Sequence, residues 1–212
     1  MFKFGIIGYG DLGIQIGNFL LEKGYKKEDI CVFDDIAFKN KIPNSYSFSA
    51  YKQDLFAHLS FYLGLGYHNL LTKSKILSNL LSLKRKVPAL IHYTAYVHPT
   101  SIIEEGVIIY PQSCICQEVT IRQGTLINNS VTISHNSTIG ASCFIAPGAV
   151  ICGNTNIGSL CFIGAGVNIS NGINIGKNCK LSIGTTLTKD MPDNHSLINI
   201  KSQLTNKQLK LI

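Results

Sequence analysis

A six-residue repeat of aliphatic residues constrains this chain more than any other feature of its sequence. Every sixth residue from Val97 to Leu187 is Val, Ile or Leu, and the residue two places before each one is small or β-branched. Such a period drifts around the 3.6-residue turn of an α-helix, and it differs from the two-residue period of a long strand. The repeat instead predicts short strands separated by bends, with both residues of each pair facing inward.

Three strands and three bends of this kind close a triangular coil of 18 residues, and successive coils stack at roughly 4.8 Å. The repeat therefore predicts a parallel β-helix of about five coils, in which each coil buries its aliphatic residues against the next. The period alone leaves the handedness open. Glycine follows the aliphatic residue at four positions, where we expect bends whose backbone leaves the usual region: Gly140, Gly158, Gly164 and Gly176.

Cysteine usage follows the same repeat. Three of the seven cysteines, Cys143, Cys161 and Cys179, recur every 18 residues at the small inward position. Cys-x-x-Cys pairs are missing, and no His stands at zinc-ligand spacing from any cysteine. We interpret the three as a ladder of small hydrophobic side chains rather than as a metal site or disulfides.

The N-terminal third has a different pattern, which predicts a small α/β unit. A short apolar strand over 4–7 leads into a G-x-G-x-x-G motif formed by Gly8, Gly10 and Gly13. An amphipathic helix follows, with Gly24 as its C-terminal cap.

Two acidic residues, Asp34 and Asp35, end a second predicted strand over 30–33, about twenty residues after the motif, where a ribose-contacting carboxylate would lie. A third strand over 60–63 and a helix over 68–83 complete a βαβαβ unit. At about 85 residues the unit is half of a dinucleotide-binding fold, so we expect a mononucleotide or nucleotide-sugar there. The alternative is that the glycines only make a tight strand-to-helix turn.

Composition and charge narrow the class of protein. Of the 212 residues 45% are hydrophobic and 15% charged, as in ordinary globular proteins. The net charge of +7 attracts small polyanions such as nucleotide-sugars and coenzyme A, whereas the concentrated basic stripe of a nucleic-acid-binding protein is missing. Apolar runs stay below the roughly 18 residues of a membrane span, and the N-terminus lacks a signal-peptide pattern, so we expect a cytoplasmic protein without a membrane span.

The combined pattern resembles the sialic-acid O-acetyltransferase and bacillosamine N-acetyltransferase family of bacterial surface-sugar enzymes. Three stretches carry the resemblance: LIHYTAYVHPTS over 90–101, NNSVTISHN over 128–136 and CGN over 152–154. The resemblance covers nearly the whole chain. It implies an α/β, Rossmann-like nucleotide-sugar-binding domain over 1–86, followed by a left-handed parallel β-helix acyltransferase domain with a C-terminal tail over 87–212.

The resemblance implies a homotrimer that transfers an acetyl group from acetyl-CoA to a UDP- or dTDP-amino-sugar in surface-polysaccharide or glycan biosynthesis. His135 would be the general base, and its place two residues after inward Ile133 independently predicts an outward side chain. Asn136 stands where family members often carry Asp or Glu. An amide can still orient the imidazole, but it cannot stabilise the imidazolium by charge.

The same resemblance assigns the binding residues. The Gly153 N–H would donate to the oxyanion, Asn128 would orient the acceptor nitrogen, and Ala165 would contact the pantetheine of acetyl-CoA. Asp34 and Asp35 would lie near the base and ribose. Three glycines would admit the phosphates: Gly8, Gly10 and Gly13.

Three alternatives stay open at this point. O-acetylation of a sialic-type sugar competes with N-acetylation, which the acidic pair favours because it indicates a nucleotide-bearing substrate. A metal-dependent β-helix enzyme of the carbonic-anhydrase type would need further histidines in coil register with His135, and the repeat has none. A non-catalytic nucleotide-sugar sensor or scaffold would use the solenoid as a rigid arm. We interpret the remaining histidines as structural, and the Lys-rich tail over 201–212 as a cap or a coenzyme A contact.

Overall fold

The structure, a computed structural model, describes residues 1–198, so the predicted role of the tail over 201–212 lies outside the described residues. A small α/β unit at the N-terminus packs on a long β-solenoid. The α/β unit consists of β1 Phe4–Ile7, α1 Asp11–Glu22, β2 Ile30–Phe33, α2 Asp35–Lys39, β3 Ser45–Tyr46, β4 Ser60–Leu63 and α3 Leu70–Ser82. Four short 3-10 turns complete it, at Lys27–Asp29, Phe48–Lys52, Asp54–Phe56 and Tyr67–Asn69.

The four strands of this unit are parallel, in the order β3-β2-β1-β4. The three strands predicted from the sequence are confirmed. The C-terminal cap of α1 is Lys23 rather than the predicted Gly24, which follows it with φ +90°. The predicted helix over 68–83 begins at Leu70, because Asn69 Oδ1 caps it by accepting from Thr72 N at 2.9 Å. The strand β3 and the short helix α2 were missed by the sequence analysis.

Within residues 1–198 the solenoid has eighteen two-residue strands, β5 to β22. In chain order they are Leu90–Ile91, Tyr96–Val97, Ile102–Ile103, Ile108–Ile109, Cys114–Ile115, Thr120–Ile121, Leu126–Ile127, Thr132–Ile133, Thr138–Ile139, Phe144–Ile145, Val150–Ile151, Asn156–Ile157, Phe162–Ile163, Asn168–Ile169, Asn174–Ile175, Lys180–Leu181, Thr186–Leu187 and Ser196–Leu197.

These strands form three parallel sheets, which we call faces. The first face holds β5, β8, β11, β14, β17, β20 and β22; the second holds β6, β9, β12, β15, β18 and β21; the third holds β7, β10, β13, β16 and β19. In the central coil the first–second corner spans 128–131, the second–third corner 134–137 and the third–first corner 140–143.

The register between stacked strands confirms the predicted 18-residue coil. Thr120 pairs with Thr138 and Leu126 pairs with Phe144, each 18 residues along the chain. The last coil is shorter, since Lys180 pairs with Ser196. The solenoid exceeds the predicted span, because β5 precedes the repeat and β22 follows it.

Inward residues of the repeat form one continuous core. Ile133 and its smaller partner Val131 are both fully buried, as the pattern predicts. Polar residues at the small inward position also donate hydrogen bonds to the stacked turn of the next coil. Thr125 Oγ1, for example, donates to the Gly140 carbonyl at 2.7 Å. Cys143 Sγ and Cys161 Sγ donate in the same way to carbonyls at 3.1 Å. The cysteines of the ladder are therefore free, buried and weakly hydrogen-bonded.

The explanation predicted for the glycines after the aliphatic residues is wrong. The left-handed backbone occurs two residues later, at positions such as Asn136 and Gly148, with φ of 57° and 68°. Gly140 is needed for a different reason: a β-carbon there would lie 2.5 Å from the backbone of Gly158 in the next coil. Close stacking of coils, rather than backbone conformation, selects glycine at this position.

The α/β unit docks on the first face of the solenoid. Outward residues of this face are apolar, and they share a core with α1 and the sheet: Leu90, Ile108, Leu126, Phe144 and Phe162 pack with Phe4, Ile6, Ile16, Phe19 and Leu20. A buried His92 of the solenoid bonds Glu22 of α1, with 2.8 Å between Nε2 and Oε2. The unit is thereby fixed against one face and leaves the second face free of contacts with its core.

The helices in residues 1–198 are short, the longest being α3 with 13 residues. None of the described helices has the length and apolarity of a membrane-spanning segment.

Candidate functional site

His135 lies at the second–third corner, two residues after the end of β12, and its side chain is exposed as predicted. Its backbone is held by the next coil, because the Asn154 N–H donates to the His135 carbonyl at 2.9 Å. Ser137 Oγ donates to the same carbonyl at 3.3 Å. A fixed backbone in the stacked turns limits where the imidazole can point.

Asn136 bonds the imidazole directly, with 2.9 Å between His135 Nδ1 and Asn136 Oδ1. Asn136 also occupies the left-handed turn position, with φ 57°, a conformation that asparagine tolerates better than most residues. With the amide oxygen as acceptor, Nδ1 carries the proton and Nε2 keeps its lone pair. That tautomer is the one that a general base acting through Nε2 requires.

Gly153 stacks on His135 one coil further along, 18 residues later in the chain. A β-carbon at residue 153 would lie 2.7 Å from both Cε1 and Nε2 of His135. Only glycine therefore leaves the imidazole in this place. Gly153 is buried beneath this ring, and within residues 1–198 its N–H donates no hydrogen bond.

Asn171 is a neighbour that the sequence analysis did not single out. Its Oδ1 would lie 3.1 Å from a β-carbon on Gly153, and it accepts from Asn154 Nδ2 at 3.5 Å. The sequence could have identified Asn171, since residues 135, 153 and 171 follow the 18-residue period. Stepping along that period from any outward residue finds its neighbours on the same corner.

Asn128 and Ala165 do not meet His135 within one chain. Both lie at the first–second corner, after β11 and β17, whereas His135 lies at the second–third corner. Asn128 Oδ1 accepts from the N–H of Asn129 at 2.8 Å, which fixes its carboxamide against its own turn. Two groups of predicted site residues are thus placed at different corners of the same solenoid.

The glycine motif forms the turn between β1 and α1, and its three glycines have different roles. Gly8 has φ +89°, and a β-carbon there would lie 2.7 Å from Leu65 Cδ2. A β-carbon on Gly13 would collide with the Gly8 carbonyl. Gly10 has open space, with nothing within 4 Å of its β-carbon position. Packing of the turn explains Gly8 and Gly13, so Gly10 is the position where a bound group has room.

The acidic pair after β2 is held by backbone hydrogen bonds. Asp34 Oδ1 accepts from the N–H groups of Ile36 and Ala37 at 2.9 Å, and its Oδ2 accepts from Tyr9 N at 3.0 Å. Asp34 therefore begins α2 and ties it to the glycine turn. Asp35 Oδ1 accepts from Phe48 N at 2.8 Å. Each carboxylate supports the local structure beside the turn, with its remaining lone pairs open to a ligand.

Known proteins resemble this chain in sequence and in fold. Residues 118–153, which include His135 and Gly153, match the family model described as bacterial transferase hexapeptide (six repeats). No curated protein matches the chain by sequence. Among solved structures, the acetyltransferase domain of PglB from Neisseria gonorrhoeae FA1090 is 25% identical, with a TM-score of 0.83 over 92% of this chain and 95% of that one.

The chain has the fold of a hexapeptide-repeat sugar acetyltransferase. A perosamine N-acetyltransferase variant from Caulobacter crescentus, in complex with CoA and GDP-perosamine, superposes with a TM-score of 0.84 at 20% identity, over 97% of each chain. WeeI from Acinetobacter baumannii AYE gives a TM-score of 0.74 at 19% identity, over 92% of this chain and 96% of that one. The predicted resemblance is confirmed, and so is the left-handed parallel β-helix that it implies.

Proposed function

We propose that this protein is an acetyl-CoA-dependent N-acetyltransferase that acts on a nucleotide-linked amino-sugar in bacterial surface-glycan biosynthesis. The observation that carries the proposal is the His135–Asn136–Gly153 arrangement, in which glycine alone leaves the imidazole in place and the Asn136 contact at Nδ1 leaves Nε2 unprotonated. The similar structures add support, because one is named an acetyltransferase domain in complex with acetyl coenzyme A and another holds CoA with GDP-perosamine.

The reaction would be direct transfer. The sugar amine attacks the thioester carbonyl of acetyl-CoA while His135 Nε2 removes a proton from the amine nitrogen. A carbon–nitrogen bond forms, the carbon–sulfur bond breaks, and the proton on His135 passes to the departing thiolate. The free Gly153 N–H would donate to the carbonyl oxygen as negative charge develops, and Asn136 would hold the ring through both stages.

The α/β unit would be the Rossmann-like nucleotide-sugar domain over residues 1–86. Its support is the open space at Gly10, beside the N-terminus of α1 and next to the Asp34 carboxylate. Phosphates near Gly10 would meet free N–H groups of the first turn of α1. The nucleotide can be UDP or dTDP, as the resemblance implies, and the GDP-linked sugar in one similar structure adds GDP to the panel to be tested.

A homotrimer would complete the site. Asn128 and Ala165 lie at one corner and His135 at another, so these residues can only act together if a second copy supplies one of the groups. Asn128 would then orient the acceptor nitrogen and Ala165 would contact the pantetheine chain. We also propose a cytoplasmic location, which the seven free cysteines support because a reducing compartment keeps thiols unpaired.

O-acetylation of a sialic-type sugar remains the second candidate, because a hydroxyl can replace the amine in the same geometry. One assay separates the two: thiol release from acetyl-CoA with UDP-, dTDP- and GDP-amino-sugars and with sialic acid as acceptors. We expect turnover with one amino-sugar nucleotide and a loss of kcat of at least about 10²-fold in His135→Ala. His98→Ala is the matched control. Among residues 1–198 the His98 side chain hydrogen-bonds only to Thr100 of its own turn, so the variant should keep full activity.

Two results would contradict the proposal. Turnover that survives His135→Ala would leave the fold intact and remove the proposed base. Tight binding of a nucleotide-sugar without turnover of any acceptor would favour the sensor or scaffold alternative.

A further inference from the structure

A cavity lies at a corner of the solenoid that the candidate acyl-transfer site does not use. Its volume is about 590 Å³, and it opens where the 3-10 turn Tyr67–Asn69 meets the last coils of the solenoid. Its solenoid wall is the third–first corner, which includes Leu160 and Asn178. His135 lies at the second–third corner and Asn128 at the first–second corner, so this cavity belongs to neither.

One wall of the cavity is aromatic and held by packing. Phe144 and Phe162 stack with ring centroids 5.9 Å apart, and the Tyr67 ring lies 5.2 Å from the first and 4.9 Å from the second. Tyr67 is nevertheless 46% exposed. An aromatic surface is therefore presented to the cavity by a rigid three-ring cluster rather than by a single mobile side chain.

Two lysines stand beside the aromatic rings. Lys180 pairs in register with Phe162 on the first face, and Lys177 lies at the third–first corner. Among residues 1–198, no acidic side chain lines the cavity with them. Lys180 interrupts the outward series of the first face, which is apolar from Leu90 to Phe162. Within residues 1–198 Lys180 forms no ion pair, and Lys177 meets only Asp193, at 3.8 Å and with both side chains at least half exposed. Such a pair is weak, so both ammonium groups can bind an incoming anion.

We infer that this cavity binds an aromatic ring that carries phosphate groups, the chemistry of a nucleotide. The ring stacks on Tyr67 and Phe162, because aromatic faces accept any base. The phosphates lie against Lys177 and Lys180, which act as point charges. The residues that line this cavity include none of those predicted for the nucleotide-sugar site at Gly10, so the inference stands whether or not the protein transfers acetyl groups.

The test uses the full chain with the Gly10 site blocked. Gly10 has an ordinary φ of −77° and open space around its β-carbon position, so Gly10→Val should fold while excluding ligands there. In this parent variant, isothermal titration measures the affinity for ADP, for inorganic pyrophosphate and for adenosine. Pyrophosphate represents the phosphates of the ligand, and adenosine represents its aromatic ring. We expect ADP to bind more tightly than pyrophosphate, and adenosine to bind most weakly.

Variants of the aromatic and of the basic side chains should affect the binding of different parts of the ligand. The double variant Lys177→Ala, Lys180→Ala should weaken the binding of ADP and of pyrophosphate at least tenfold. The control variant Lys75→Ala, Lys189→Ala makes the same charge change at exposed positions outside the cavity, and it should leave both affinities unchanged. Tyr67→Leu should weaken the binding of ADP severalfold without changing the affinity for pyrophosphate. The inference is overturned if the parent does not bind ADP, if the lysine pair can be removed without effect, or if adenosine binds as tightly as ADP. Loss of acetyl transfer alone would contradict the proposed function and leave these titrations unaffected.

Discussion

A buried lysine in α3 gives the sharpest prediction about stability. Lys73 is fully buried, and its ammonium nitrogen has no hydrogen-bond partner among the described residues. Burial lowers its pKa from the ordinary value of 10.5 to about 8, because a charged amine loses its hydration there. At pH 7 the group is still mostly protonated, so the folded protein carries an unpaired charge in its interior.

The size of this cost follows from the pKa. The difference between 10.5 and about 8, at about 1.4 kcal/mol for each pKa unit, makes the charged lysine cost roughly 3 kcal/mol in the folded state. Lys73→Met keeps the apolar stem and removes the charge. We expect it to raise the free energy of unfolding at pH 7 by about 2–3 kcal/mol, and Tm by roughly 5–10 °C.

The pH dependence identifies the cause. Below pH 8 the lysine is protonated in both the folded and the unfolded state, so the advantage of Lys73→Met is constant. Between about 8 and 10.5 the unfolded chain binds more protons than the folded one, the wild type gains stability, and the advantage shrinks. Burial also raises the pKa of the neighbouring Cys143 thiol, and the charges of Lys73 and Cys143 influence each other.

Urea denaturation of the wild type, Lys73→Met and Lys75→Met at pH 7 and pH 10 is the measurement. Lys75 is exposed on the same helix, so its substitution should change the free energy of unfolding by less than about 0.5 kcal/mol. A loss of stability in Lys73→Met at pH 7 would refute the reasoning, because it would show that the ammonium has a stabilising partner. An advantage that does not shrink at pH 10 would refute it as well.

Three further substitutions test the site and the solenoid. Gly153→Ala should lower kcat of acetyl transfer about 10²-fold with little change in Tm, because its β-carbon displaces the His135 ring; unchanged kcat would contradict the site. In denaturant titrations Gly158→Ala should lower the free energy of unfolding by about 3 kcal/mol or more, since the β-carbon would lie 2.5 Å from the next coil. Gly166→Ala, with φ +64° and open space, should lower it by only about 1 kcal/mol. Equal losses would refute the stacking argument. Thr125→Val should lower the free energy of unfolding by about 1–2 kcal/mol, because the Gly140 carbonyl and the Cys143 N–H lose their shared hydroxyl; a neutral result would show that the ladder adds no stability.

The candidate site was predictable only in part from the sequence. The position of His135 in the repeat predicts its exposure, and the resemblance points to Gly153, but the 18-residue period is what places the two in contact. That period extends the site to Asn171, a step that needs no structure. The separation of Asn128 from His135 by one corner also follows from counting hexads, once each hexad is known to form one face.

The acidic pair shows where sequence patterns are ambiguous. The spacing of Asp34 and Asp35 after the glycine motif suggests a ribose contact, yet both carboxylates accept backbone hydrogen bonds that begin α2 or hold Phe48. A carboxylate after a strand can cap a helix or bind a ligand, and its spacing does not separate these roles. Only the neighbouring N–H groups, which depend on the folded turn, decide it.

The sequence by itself determined the solenoid, because a six-residue period of inward aliphatic residues has one way to be buried, and each coil meets only its neighbours. It also determined the three long strands of the α/β unit. The tertiary structure decided where that unit sits, since docking joins residues far apart in sequence, such as Phe19 and Tyr110, whose rings lie 4.8 Å apart. It also decided that Lys73 is buried and that Tyr67 and Lys180 line one cavity. These contacts arise between elements rather than within a repeat, so no local pattern encodes them.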